Sequence, residues 1–200
     1  MSVLIFDRKI DNQFRLIIDN ITWFADELIR VDVPLERQED DFSCTPLCIL
    51  MVLEYIAEKF KSGLPNLNLT VISEVVQTSA DIGGTTFPNI KNINTLFERT
   101  NPSLEIVPSF GCKFEEILEE IKIKNLPVIA WVMMHDPNGN YEHSIVITDV
   151  DEDKLIIYCN DPVYGRTNIP TRRFIEMWGD CCRILIKFKI GEKVTLFDFG

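Results

Sequence analysis

The sequence predicts an α+β fold, and three observations carry the prediction. Helix-period apolar patterns occupy residues 36–125, apolar runs with strand character occupy 126–200, and no Gly-rich phosphate loop or internal repeat interrupts either half. Helices and strands segregated in this way point to helices packed on an antiparallel sheet rather than to a doubly wound parallel one. At 200 residues and 46% hydrophobic, the chain suits one domain with a sizeable core, or one domain with an extension. We set residues 1–35 apart as an N-terminal extension and read 36–200 as the domain, with a helical half at 36–125 and a sheet half at 126–200.

In the extension, 14–18 fits a strand, 21–29 fits a helix, and 31–35 is a short extended lead into the next loop. Residues 44–61 form the central helix. Its first half, Leu47 to Leu53, is apolar nearly all round and so should be buried, whereas its second half is amphipathic and stops at Ser62-Gly63. Ser43 is a good N-cap, and Pro46 suits the first turn, where a missing N–H costs nothing. A shorter helix is expected at 70–78, a Gly83-Gly84 loop after it, a helix at 89–99, a strand at 104–107 and an amphipathic helix at 113–124 carrying Phe114, Ile117, Leu118 and Ile121 on one face. Then come a buried strand at 127–134, a turn with an Asn-Gly step at 136–140, strands at 143–150 and 154–159, a loop at 160–165, a short helix at 170–178 and a strand at 183–190. The middle strands read as an antiparallel meander. Residues 193–197 follow a last turn at Gly191-Glu192.

Twenty basic against 31 acidic residues leave a formal net charge of −11. A nucleic-acid backbone or an anionic membrane surface needs a basic face, so neither is expected as partner; a peptide or protein is compatible. No segment approaches the roughly 20 apolar residues of a membrane span, and residues 1–9 lack the layout of a signal peptide. A cytoplasmic location is therefore expected, with the six cysteines reduced. Two histidines and no Cys-x-x-Cys give no zinc pattern, so no metal and no cofactor are expected.

One constellation carries chemistry. Cys44 starts the central helix, where the positive end of the helix dipole favours thiolate, the attacking form. Gln38 lies six residues earlier in the preceding loop. His143 opens a core strand, and Asp161 follows the next one, so a single hairpin brings the two to the same end of the sheet. Singly, each has a plain structural reading: a core thiol, a strand-end histidine, a turn former before Pro162. Jointly they supply what a thiol nucleophile needs: a base, a group that holds the base, and a donor for the oxyanion, with the Cys44 backbone N–H as second donor. His135 lies at the far end of the 136–140 turn and reads as solvated; Cys48, one turn after Cys44, reads as core, as do Trp131 and Trp178; Asp41 reads as a helix cap or loop holder.

The combination Gln38-x-x-Asp41-x-x-Cys44, Glu142-His143-Ser144-Ile145-Val146-Ile147, Asn160-Asp161-Pro162-Val163-Tyr164-Gly165 and Phe174-x-x-x-Trp178 resembles the papain-like peptidases of the bacteriocin-processing group, which includes the export-transporter domains that cut after a double glycine. The resemblance spans residues 36–190, and a standalone member of the group is expected. It implies a papain-like cysteine peptidase fold, Cys44 as nucleophile, His143 as general base and acid, Asp161 as orienting group and Gln38 as oxyanion donor. The reaction expected is hydrolysis of a peptide or isopeptide bond through a thioester. The same residues would also serve an acyl transferase or transglutaminase-like enzyme, and a non-catalytic interaction module could retain the fold; the intact set of four disfavours the last.

Overall fold

In a computed structural model of the chain, the apolar run after Cys44 folds as one long helix, α1 (Cys44–Phe60). The structure describes residues 31–60, 64, 67–98, 100–137 and 139–191, so the expected elements at 14–18, 21–29 and 193–197 lie outside the described residues. Burial in α1 follows the apolar run: Ile49, Met51, Val52 and Ile56 are closed to solvent, each side chain contributing about 2 kcal/mol of transfer free energy. A shorter helix, α2 (Leu69–Val75), starts where Asn68 Oδ1 accepts the Val71 N–H at 3.0 Å.

Among the described residues, six strands form one antiparallel sheet: β1 (Leu104–Ser109), β2 (Val128–Asp136), β3 (Gly139–Asp151), β4 (Ile156–Asp161), β5 (Gly165–Pro170) and β6 (Leu185–Ile190). The spatial order is β1-β6-β2-β3-β4-β5. The meander predicted from the sequence is real and extends one strand further, through β5. That strand was missed because Arg166-Thr167-Asn168-Ile169 carries no apolar run; among the described residues it lies at the edge of the sheet and pairs only with β4. β3 begins four residues before His143, so the expected turn at 136–140 is narrower than predicted and His143 sits inside a strand rather than at its start.

Both faces of the sheet are covered. α1 packs on the face carrying Ile129, Trp131, Val146, Ile186 and Phe188. On the other face, Val128, Ala130, Val132, Ile145 and Ile147 meet α4 (Phe114–Leu118) and α5 (Thr171–Asp180) through Ile117, Leu118, Phe174 and Trp178. Phe174 and Trp178, one turn apart on α5, stack at 5.6 Å between ring centres.

Two predicted helices take other forms. The helix expected at 89–99 is a 3-10 stretch, Phe87–Ile93, ending in the single α-turn α3 (Asn94–Phe97). The Asn94 amide donates to the Ile106 carbonyl at 2.9 Å and accepts the Ile106 N–H at 2.7 Å, which ties this segment to the edge of β1. The helix expected at 113–124 widens after α4 into a π-turn, Glu119–Ile123.

The extended lead into the domain is packed, not loose. The Val31 N–H donates to the Thr148 carbonyl at 3.1 Å, Val31 and Val33 are buried, and the Asn160 amide donates to the carbonyls of Val33 and Pro34 at 2.9 and 3.1 Å. The core therefore reaches back at least to Val31.

Candidate active site

Cys44 is the first residue of α1 and is half-buried. The loop that delivers it is held at two points. The Gln38 N–H donates to the Pro162 carbonyl at 2.9 Å, which ties the loop to the residue beside Asp161. Asp40 Oδ1 accepts the N–H groups of Phe42 at 2.9 Å and Ser43 at 2.7 Å, closing the turn before the helix. The loop-holding role read for Asp41 thus belongs to its neighbour. Burial pushes the Asp40 carboxyl up, but these hydrogen bonds outweigh it and hold the group below its ordinary value.

β2–β3 pairing sets Val132 beside His143 and Trp131 beside Ser144. β3–β4 pairing sets Val146 beside Asn160, which brings the end of β4 level with His143. Asp161 Oδ1 accepts His143 Nε2 at 3.0 Å and also the N–H groups of Val163 at 2.7 Å and Tyr164 at 3.0 Å. Both side chains are almost fully buried. With Nε2 committed to Asp161, Nδ1 is the ring nitrogen left for the Cys44 thiol, which hydrogen-bonds the imidazole.

Ser144 completes the contact between helix and sheet. Its backbone N–H donates to Cys44, its carbonyl accepts the Cys48 thiol at 3.3 Å, and its hydroxyl pairs with that of Thr45 at 2.7 Å. Thr45 also hydrogen-bonds the Cys44 side chain. Sequence reading missed this junction, although Ser144 stands next to His143 in the motif that was singled out.

The electrostatics separate Cys44 from the four buried thiols. Burial pushes the Cys44 thiol up; hydrogen bonding to His143, its positive charge, and the donors from Ser144 and Thr45 together bring the thiol below its ordinary value. Burial alone pushes the His143 imidazole down, but Asp161 and Cys44 overcome it and raise the imidazole to about 9. Asp161 is lowered despite burial, by His143 and the Val163 and Tyr164 N–H groups. Burial raises Cys48, Cys112, Cys159 and Cys181, the last two to about 12. The arrangement therefore favours a thiolate–imidazolium pair at one cysteine, with a carboxylate behind it.

Of the four residues singled out from the sequence, Cys44, His143 and Asp161 form one hydrogen-bonded series, and Gln38 is anchored beside Asp161 through its backbone. Among the described residues no group of three or more His, Cys, Asp or Glu side chains is placed to hold a metal ion, and no helix is long and apolar enough to cross a membrane.

Comparison with known proteins bears on the fold and the family. The family model of the Peptidase C39-like family matches residues 30–182. Among solved structures, the double-glycine-motif protease of an AMS/PCAT transporter, determined in complex with its leader peptide, superposes with a TM-score of 0.53 at 20% identity, covering 80% of this chain and 94% of that one. A protein described as a C39-like peptidase from Bacillus anthracis superposes with a TM-score of 0.56 at 17% identity, covering 82% of this chain and 98% of that one. No curated protein matches the sequence. The likeness to the two solved structures establishes the fold, helices on a six-stranded antiparallel sheet as in papain-like peptidases of this group, and the family model, matching residues 30–182, establishes the membership: the chain belongs to the Peptidase C39-like family of cysteine peptidases.

Proposed function

We propose that this protein is a thiol hydrolase that cuts a peptide or isopeptide bond through a thioester on Cys44. The observation that carries the reading is the hydrogen-bonded series from Cys44 through His143 to Asp161, with Cys44 lowered while burial raises Cys48, Cys112, Cys159 and Cys181. The Cys44 thiolate attacks the scissile carbonyl carbon. The imidazolium of His143 then gives its proton to the leaving amine, and the C–N bond breaks. Neutral His143 next takes a proton from water, the hydroxide attacks the thioester, and the acid leaves as the thiolate is restored.

Asp161 holds the imidazole in the orientation that points one nitrogen at the sulfur and stabilises the charge on the ring. The backbone N–H of Cys44, at the start of α1, is one oxyanion donor. Gln38 supplies the second through its side-chain amide N–H, and its hydrogen bond to Asp40 holds that side chain to the loop. A peptide substrate is supported by the solved neighbour with a bound leader peptide, and a reducing, cytoplasmic setting by six cysteines that all stand as free thiols.

The test is mass-spectrometric mapping of iodoacetamide labelling at pH 6, where an ordinary thiol is almost wholly protonated. Cys44 is expected to label first in the wild-type chain and slowly in His143→Ala, with the fast site lost in Cys44→Ala. Preferential labelling of Cys112 or Cys159, with Cys44 untouched, overturns the assignment.

A further inference from the structure

The turn that carries Asp161 is gripped from both sides. On the inner side Asp161 Oδ1 accepts the N–H groups of Val163 and Tyr164 while it holds His143. On the outer side the Gln38 N–H donates to the Pro162 carbonyl at 2.9 Å, and Arg37 Nη1 donates to the Val163 carbonyl at 2.8 Å. Two consecutive residues of the cysteine loop therefore bind two consecutive carbonyls of the Asp161 turn.

Gly165 closes the grip. It is buried and has a φ of +86°, a backbone conformation that favours glycine. A Cβ placed there would lie 2.5 Å from Arg37 Nη2 and 3.0 Å from its guanidinium carbon. The guanidinium thus occupies the space that any side chain at 165 would fill. The planar fork of arginine suits this position; the single ammonium of lysine could keep the hydrogen bond but not the coverage.

We propose that Arg37 is a positioning residue, which with Gly165 locks the Gln38 loop to the Asp161 turn so that oxyanion donor and base holder are set as one unit. The proposal rests on the catalytic reading of Cys44, His143 and Asp161 given above. Arg37 touches none of the reacting groups. It acts through the Val163 carbonyl, whose own residue donates its N–H to Asp161.

Without the guanidinium the turn loses its outer anchor, the Asp161 carboxylate is held less firmly against His143, and the thiolate of Cys44 is less favoured. The signature is a pH profile. In the full chain, the iodoacetamide rate at Cys44 is measured from pH 5 to 10 for wild type, R37A, R37K, G165A and R37A/G165A, with thermal unfolding of each recorded alongside. R37A is expected to move the midpoint of the profile up, lowering the rate at pH 6 about tenfold, and R37K to restore part of it. G165A is expected to cost less in the R37A background than in wild type, because the clash with the guanidinium is gone and only the backbone strain remains.

An unchanged midpoint in R37A, or effects of R37A and G165A that simply multiply, overturns the proposal. A fall in unfolding temperature with no movement of the profile likewise overturns it and leaves Arg37 a structural residue only. If wild-type Cys44 itself shows no fast labelling at pH 6, it is the catalytic reading that fails, which separates the two.

Discussion

The two histidines of this chain sit on the two strands of one hairpin and have different surroundings. His135, on β2 near the hairpin turn, has 37% of its side chain exposed and faces Asp180 at 3.4 Å, itself 56% exposed. His143, on β3, has 4% exposed and faces Asp161 at 3.0 Å, 5% exposed. Each is a histidine near a carboxylate. Water screens the first pair, although His135 Nδ1 also hydrogen-bonds Asn140 Oδ1 at 3.0 Å, whereas the second lies where charge is poorly screened. The cysteines of α1 repeat the lesson from the opposite direction. Cys44 and Cys48 are one turn apart and both reach Ser144, yet only Cys44 meets a cation; Cys48, fully buried with nearby negative groups, is pushed up and stays a thiol. Burial without a partner of opposite charge silences a titratable group, and burial with one makes it reactive.

The largest test of the contrast is to remove each histidine in turn. His143→Ala is expected to lower cleavage of a random peptide library on the order of 10⁴-fold or more, in line with loss of a triad base, while His135→Ala stays within about twofold of wild type, as a solvent-exposed side chain outside the site should. Equal losses would dissolve the comparison. Next comes Gln38→Ala, expected to cost about 10²–10³-fold in kcat, the usual effect of one oxyanion donor. Iodoacetamide labelling of Cys44 should be unchanged in that variant, because alkylation develops no oxyanion; a parallel loss of labelling would place Gln38 in thiolate formation instead.

A third test uses stability against pH. The folded imidazole of His143 is raised to about 9 from an ordinary value of 6.5. A raised imidazole stabilises the fold fully below pH 6.5, and that contribution is lost as pH rises from there through the folded value. Cys44 carries the opposite sign: its lowered thiol contributes fully above its ordinary value of 9.0, and that contribution is lost as pH falls. In a Cys44→Ala background only the histidine contribution remains. Urea midpoints there should fall between pH 6.5 and 9 relative to Cys44→Ala/Asp161→Asn, with the upper end of the window below about 9 because the thiolate no longer assists. A difference that widens with pH contradicts the raised imidazole. The smallest effect is at the loop: Asp40→Ala removes the acceptor of two N–H groups and should cost about 1 kcal/mol in urea unfolding.

The helix positions were legible where packing and local pattern agree. Leu47 to Leu53 could only be a buried helix, and α1 is one. The meander was legible because its strands are apolar runs between turn signals. β5 was not, because Ile169 alone packs from it on the core and gives no apolar run to read, while backbone pairing to β4 holds the strand. The 3-10 stretch at Phe87–Ile93 was hidden for a related reason: its apolar spacing suits a helix, but Asn94 is bound to the backbone of β1, ten residues and more further along the chain.

The sequence by itself determined which residues could do chemistry. A cysteine placed after a capped turn, a glutamine six residues before it, and a histidine and an aspartate separated by one hairpin are local facts of spacing, and the order of the chain carries them. The tertiary structure decided how those groups are charged and held. The alignment of Nε2 with Asp161, the burial that makes the pair count, and the contact of Arg37 with Gly165 over a separation of more than a hundred residues arise only when the loop of α1 and the end of β4 meet. Electrostatic energies depend on distance and on exclusion of water, and neither is a property of sequence spacing.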